Sequence, residues 1–219
     1  MEKPRAIIDT CFIERISAEG KKPDYIKKIL DEIDYQFVIH PYVLKYEYEL
    51  HDYLKALINE GYIICIEYDE FLKDEASRQL YEYQFESIYI ELRSYLIAVG
   101  GIKQMPEVKV PPSHTIYDWH IAGSSMGDVH MILMASFLRL PVFLTEDSDI
   151  GLLRDITHRR FSLGKYHLEI KNAVDILKEI AGKEEIQISH KELENIVKSI
   201  GKRHNWAEIN QVWHDAHDW

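Results

Sequence analysis

The sequence predicts an α/β fold with a mostly parallel central sheet, and three observations carry that prediction. Short apolar runs rich in β-branched residues recur at Arg5–Asp9, Gln36–Ile39, Tyr62–Ile66 and Pro141–Thr145, with the length of buried strands. Segments with apolar residues at three- and four-residue steps alternate with them, which is helical periodicity. Pro23 and Pro41 stand at helix starts and Gly61 at a stop, where their backbone preferences are useful.

Taken in order, Arg5–Asp9 is an apolar strand ending in an acid. Pro23–Ile33 is helical through Ile26, Ile29, Leu30 and Ile33, and Gln36–Ile39 is the second strand. Pro41 opens a helix to about Asn59, followed by a strand over Tyr62–Ile66. Asp69–Val99 carries Phe71, Leu72, Leu80, Phe85, Ile88, Leu92 and Leu96 at mixed helical spacing, as one long helix or two shorter ones ended by Gly100-Gly101. Gly100–Ser113, with Pro106, Pro111 and Pro112, is a loop. Met126–Leu138 is helical and Pro141–Thr145 is a buried strand. A helix is expected from Asp149 to about Arg160, a last strand over Tyr166–Ile170, and a helix from about Asn172 to Ala181. Two capping boxes, Ser189-x-x-Glu192 and Asn205-x-x-Glu208, start two terminal helices separated at Gly201-Lys202-Arg203.

A chain of 219 residues with 46 % hydrophobic content can bury a sizeable core. It lacks an apolar run long enough to span a membrane, and its first residues do not read as a signal peptide. Two cysteines, Cys11 and Cys65, make no disulfide framework and suit a reducing cytoplasm. The formal net charge of −11 runs against binding a polyanion, unless cations offset the acids or a local basic surface holds the substrate.

The functional signal is a set of carboxylates where apolar residues are expected. Asp9 ends an apolar strand, at the edge where open α/β sheets place ligands; a helix cap is the plainer alternative. Glu47 falls on the apolar stripe Val43, Leu50, Leu54 and Leu57, where a carboxylate needs a partner, a metal or an open core edge. A register shift of two residues would put Glu49 there instead. Asp128 precedes Met131–Ala135 and is either a first-turn acid favoured by the helix dipole or a ligand, with Gly127 permitting close approach. Thr145-Glu146-Asp147-Ser148-Asp149 packs three acids into four residues, which repel unless a cation compensates.

These pieces together resemble the PIN-domain nucleases, including the VapC-type toxin ribonucleases. The matching segments are Ile7-Ile8-Asp9-Thr10, Val43-Leu44-x-x-Glu47, Gly127-Asp128 with Ala135, and Pro141–Asp149, with Cys11 standing where an Asn is common. The resemblance covers residues 1 to about 60 and about 115 to 181. It implies a three-layer α/β/α domain over 1–181 with a helical insertion at about 69–113, followed by a helical extension over 182–219. By carry-over, Asp9, Glu47, Asp128 and Asp147 form the acidic site, Asp149 is a further ligand or supporting group, and Thr10 matches the hydroxyl residue that follows the first acid.

Hard oxygen ligands point to Mg²⁺ or Mn²⁺ rather than zinc. The expected reaction is metal-assisted phosphodiester hydrolysis, and the resemblance implies endonucleolytic cleavage of RNA. Arg154, His158, Arg159, Arg160 and Lys165 are candidate phosphate contacts, though a basic helix end is also ordinary solvated surface. The tyrosine-rich span from Tyr81 to Tyr95 is expected to pack on the main domain or a second subunit, or to stack bases. His214 and His217 beside Asp215 and Asp218 have the spacing of a metal pair. A toxin role would bring an antitoxin-type protein partner. A phosphatase is disfavoured because Asp9-Thr10-Cys11 lacks a second acid, and no phosphate-loop or dinucleotide fingerprint is present. The non-enzyme alternative is a PIN-like scaffold that binds RNA or protein without cutting.

Overall fold

Strand β1 (Arg5–Ile8) buries Ala6, Ile7 and Ile8 completely, so both of its faces are covered, as a central parallel strand requires. In this computed structural model, which describes residues 3–47, 51–99, 105–160 and 164–217, β1 pairs in parallel with β2 (Gln36–Ile39) and β4 (Val142–Leu144). Strands β3 (Ile63–Cys65) and β5 (Glu169–Lys171) complete the edges, giving a five-stranded all-parallel sheet in the order β3-β2-β1-β4-β5. The chain runs outward from β1 on one side, then crosses to β4 on the other. The crevice beyond the carboxyl ends of β1 and β4 is therefore the topological switch point, where open α/β sheets take ligands.

Helices α1 (Thr10–Ile16) and α2 (Pro23–Glu32) follow β1, then α3 (Pro41–Tyr46) and α4 (Asp52–Asn59) follow β2. The single helix expected over Pro41–Asn59 is thus two: α3 ends at Glu47, whose ψ of −57° comes with a φ of −125°, and His51 is extended. Val43, Leu54 and Leu57 are all buried. Residues eleven and fourteen apart keep nearly the same helical phase, so the stripe reads as continuous across the break. Glu49, Leu50 and the Gly100-Gly101 stop lie outside the described residues.

The 69–113 region holds α5 (Tyr68–Phe71), the 24-residue α6 (Glu75–Ala98) and irregular chain from Met105. Helix α6 buries Tyr81, Phe85, Ile88, Tyr89, Leu92 and Leu96 against α7 (Met126–Leu138) and α8 (Asp149–Arg160). Both α7 and α8 have the predicted bounds. Helix α7 is buried nearly all round, from Met126 to Ser136, as a central helix must be. The last strand lies at Glu169–Lys171 rather than Tyr166–Ile170, and Tyr166 precedes it with its hydroxyl 3.0 and 2.8 Å from the carbonyl oxygens of Ala135 and Leu140.

Helix α9 (Ala173–Ala181) is capped by Asn172, and α10 (His190–Ser199) by the expected Ser189–Glu192 box. The Asn205 box of α11 (Trp206–His217) does not form. Asn205 Oδ1 is buried with no hydrogen-bond partner among the described residues, and Glu208 pairs with Lys178 at 2.5 Å instead. Leu193, Ile196, Val197, Ile200 and Ile209 of the terminal segment belong to the same core cluster as the sheet. No described helix is long and apolar enough to cross a membrane.

Candidate active site

Asp9 occupies the N-cap position of α1 but does not cap it. Its carboxylate is 4 % exposed and held by side chains instead. The Thr145 hydroxyl and the Cys11 thiol donate to Oδ2 at 2.7 and 2.8 Å. The Thr10 hydroxyl lies 3.2 Å from Oδ1 and donates to Glu47 Oε2 at 2.7 Å, so one hydroxyl joins two acids that are distant in the chain. Oδ1 is the less satisfied oxygen of Asp9, with only the longer Thr10 contact, whereas Oδ2 accepts two hydrogen bonds.

The sequence builds this locally. Strand β1 carries Asp9 to the switch point, with Asp9 N–H completing the ladder to Leu144 O at 2.9 Å. The early end of α3 turns Glu47 toward Thr10. Glycine at 127 then leaves the room: a Cβ there would stand 2.5 Å from Glu47 Oε1 and 3.3 Å from Val43 Cγ2. Burial pushes the Glu47 carboxyl up to about 7, opposed by the Thr10 hydrogen bond and reinforced by the neighbouring charge of Asp9. A carboxylate so placed gains from a cation.

Cys11 and Thr145 were not singled out by sequence, although both are polar residues within two positions of a strand end that carries acids. Burial and Asp9 hold the Cys11 thiol far above its usual range, so it is a fixed donor and not a nucleophile. Glu146 N–H donates to its sulfur at 3.2 Å.

Of the three clustered acids after β4, Glu146 and Asp147 find partners within the chain. Glu146 accepts from Ala173 N–H at 2.7 Å and pairs with Lys202 at 3.1 Å and Arg15 at 3.6 Å. Asp147 Oδ1 accepts from Asp149 N–H at 2.8 Å, and Asp147 N–H donates to Thr145 Oγ1 at 3.0 Å. Asp147 therefore borders Asp9 through Thr145, half-buried, while Asp149 is the first residue of α8. Asp128, also half-buried, lies in the first turn of α7 next to Gly127. Just before it, Ser125 has a left-handed φ of 57° and a buried hydroxyl without a partner among the described residues, local strain of the sort that accompanies functional sites.

Asp9 and Glu47 are thus brought together, and Asp128 and Asp147 sit on the segments around them. Among the described residues, no group of three or more His, Cys, Asp or Glu side chains is arranged to hold a metal ion as it stands. His217 Nδ1 lies 2.8 Å from Trp213 O and its ring stacks on Trp213, so it serves the terminal helix, and Asp218 lies outside the described residues.

Thr10 lies between Asp9 and Glu47, whereas the expected arginine phosphate contacts are engaged elsewhere. Arg159 and Arg160 bind Glu91 of α6 at 2.8 and 2.5 Å, roughly 15 Å along α8 from Asp149. Arg154 pairs with Asp155 at 3.1 Å. Arg15 and Lys21, paired with Glu146 at 3.6 Å and Glu19 at 3.1 Å, line a cleft of about 570 Å³ with Cys11, Glu14, Asp147 and Ser148, and Lys202 pairs with Glu146 beside it.

Comparison with known proteins returns no matching family model, no matching curated protein and no matching solved structure.

Proposed function

We propose that this chain is a PIN-type, Mg²⁺- or Mn²⁺-dependent nuclease that hydrolyses RNA phosphodiesters at the switch point. The observation that carries the reading is the Asp9–Thr10–Glu47 constellation, in which one hydroxyl lies between a carboxyl pushed up to about 7 and a second, buried carboxylate. Two hard oxygen donors in that state suit a small divalent cation better than a proton. Asp9 and Glu47 would hold the ion, with Asp128 and Asp147 supplying negative charge at its border. A bound divalent ion would polarise the phosphoryl oxygen and acidify water. The chain's own share is positioning: Thr145 and Cys11 fix Asp9, Thr10 fixes Glu47, and Arg15 and Lys21 border the cleft as phosphate-attracting cations.

Wild-type protein is expected to melt several degrees higher in millimolar Mn²⁺ than in EDTA, and to cleave mixed RNA with Mn²⁺ alone. An unchanged melting temperature together with intact RNA sinks the metal reading. The alternative, a PIN-like scaffold that binds RNA or protein without cutting, draws on the lack of a three-residue metal-holding group among the described residues. It predicts RNA retention in a filter-binding assay without cleavage.

Gly127→Ala tests the place given to Glu47. The added methyl meets the flexible end of Glu47, so the fold yields cheaply and alanine improves helix propensity. The expected result is a melting temperature close to wild type with cleavage reduced at least about tenfold. Full cleavage by this variant would show that the Glu47 carboxylate need not sit where it does.

A further inference from the structure

Helix α6 presents two faces of opposite character. One buries Tyr81, Phe85, Ile88, Leu92 and Leu96 in the core. The other exposes Leu80 at 46 %, Tyr83 at 66 %, Ile90 at 56 % and Ile97 at 54 %. These four, with Ser87 and Ser94, fall at alternating three- and four-residue steps: 80, 83, 87, 90, 94, 97. That spacing is the seam of a two-helix coiled coil, about 25 Å long here. Exposed apolar residues scattered singly are ordinary, as Tyr95 and Val99 are off this register; four of six positions of one register on a single helix face are not.

We infer that this seam pairs with the same helix of a second copy of the chain, antiparallel about a two-fold axis between Ile88 and Tyr89. In that arrangement Ile90 meets Ser87, Tyr83 meets Ser94 and Leu80 meets Ile97, so the two bulkiest mid-seam residues each face a serine. A parallel pair would set Tyr83 against Tyr83 and Ser87 against Ser87, one layer overfilled and one nearly empty. The flank adds charge complementarity. Antiparallel pairing brings Glu86 opposite Arg93 of the second copy, and the two-fold axis makes this contact twice. Arg93 Nε donates to Met105 O at 3.2 Å, which holds the guanidinium on that flank. On the opposite flank Glu91 binds Arg159 and Arg160, and Arg160 also donates to the hydroxyl of the half-buried Ser87, so the guanidinium borders the Ser87–Ile90 layer and shares it with the incoming side chain.

The seam side chains expose on the order of 500 Å² per copy, which with their flanks approaches the roughly 800 Å² per partner of a standard interface. The partner is a second copy because the size pattern and the Glu86–Arg93 pair are both self-complementary. An acidic chain with no basic stripe along this face does not fit an anionic lipid surface.

Light scattering or sedimentation of the full chain at tens of micromolar is expected to give twice the chain mass. Ile90→Glu, at an exposed position beside the axis, should return the monomer mass with an unchanged circular dichroism spectrum. Orientation is read by mixing chains carrying Ser87→Cys with chains carrying Ile90→Cys under mild oxidation. Cross-linked heterodimer in excess of either homodimer supports the antiparallel register. A monomeric wild type, an Ile90→Glu variant that remains dimeric, or predominant Ser87→Cys homodimer overturns it. So does a monomer that binds lipid vesicles through this face.

Discussion

Glu47→Gln raises the stability of the metal-free protein at pH 8 while ending its response to Mn²⁺. The sign follows from the direction of the shift. Burial raises the folded-state value of Glu47 from 4.5 to about 7, so its stabilising contribution is full below the unfolded value and is lost as pH rises through about 7. Above that pH the chain holds an ionised carboxylate against Asp9, at a cost of about 2–3 kcal/mol once partial solvent access is allowed for. Glutamine keeps the acceptor for Thr10 and removes the charge. Asp9→Asn serves as the companion, since its carbonyl can still accept from Thr145 and Cys11 and its amide can turn to Thr10. Both variants should lose at least about a hundredfold in cleavage rate. Thermal melts at pH 5 and pH 8, with EDTA and with Mn²⁺, test the first claim, and RNA cleavage tests the second. A Glu47→Gln protein no more stable at pH 8 than wild type, or one that still cleaves, would falsify the role given to this acid.

Tyr81→Phe costs about 2–4 kcal/mol through loss of one oxygen atom. Tyr42 N–H donates to His40 Nδ1 at 3.0 Å, which places the His40 hydrogen on Nε2, facing the Tyr81 hydroxyl at 3.1 Å. His130 Nε2 lies 3.0 Å from Ile116 O and carries its hydrogen there, leaving Nδ1 to accept from Tyr81 at 2.7 Å. The chain of donors runs one way, from His40 through Tyr81 to His130, with both rings neutral and fully buried. Phenylalanine strands a buried N–H and a buried lone pair together, and the melting temperature should fall by roughly 10 °C.

The same network makes the wild type acid-sensitive. Burial pushes His130 down to about 3, and burial with the neighbouring His130 lowers His40 well below its usual range. A histidine depressed in the fold contributes stability that is present above its unfolded value near 6.5 and is lost as pH falls toward the folded value. His130 alone should remove roughly 2–3 kcal/mol by pH 4.5. Urea titrations between pH 7 and pH 4 measure this directly, and a flat profile across that range contradicts the neutral, buried pair.

Much of the scaffold was legible because strand and helix periods are local properties. Strand β1, the α2 stripe, and the bounds of α7 and α8 follow from apolar spacing and from the prolines, glycines and capping residues around it. The break between α3 and α4 was not legible, since two helices in nearly the same phase present one stripe. Nor were the start of β5 and the unformed Asn205 cap legible. Tyr166 and Glu208 are drawn to partners 26 or more positions away, and local patterns carry no record of such contacts.

The sequence by itself determined that acids stand at the ends of apolar strands and on an apolar stripe, because hydrophobic patterning exposes any residue that violates it. Only the tertiary structure decided which acids remain uncompensated. Glu146 looked like part of a metal-demanding cluster until Lys202, Arg15 and the Ala173 N–H were seen to neutralise it, whereas Glu47 was left near Asp9 with one hydroxyl between them. Electrostatic energy depends on distance and desolvation, and both are set by which distant segments fold together.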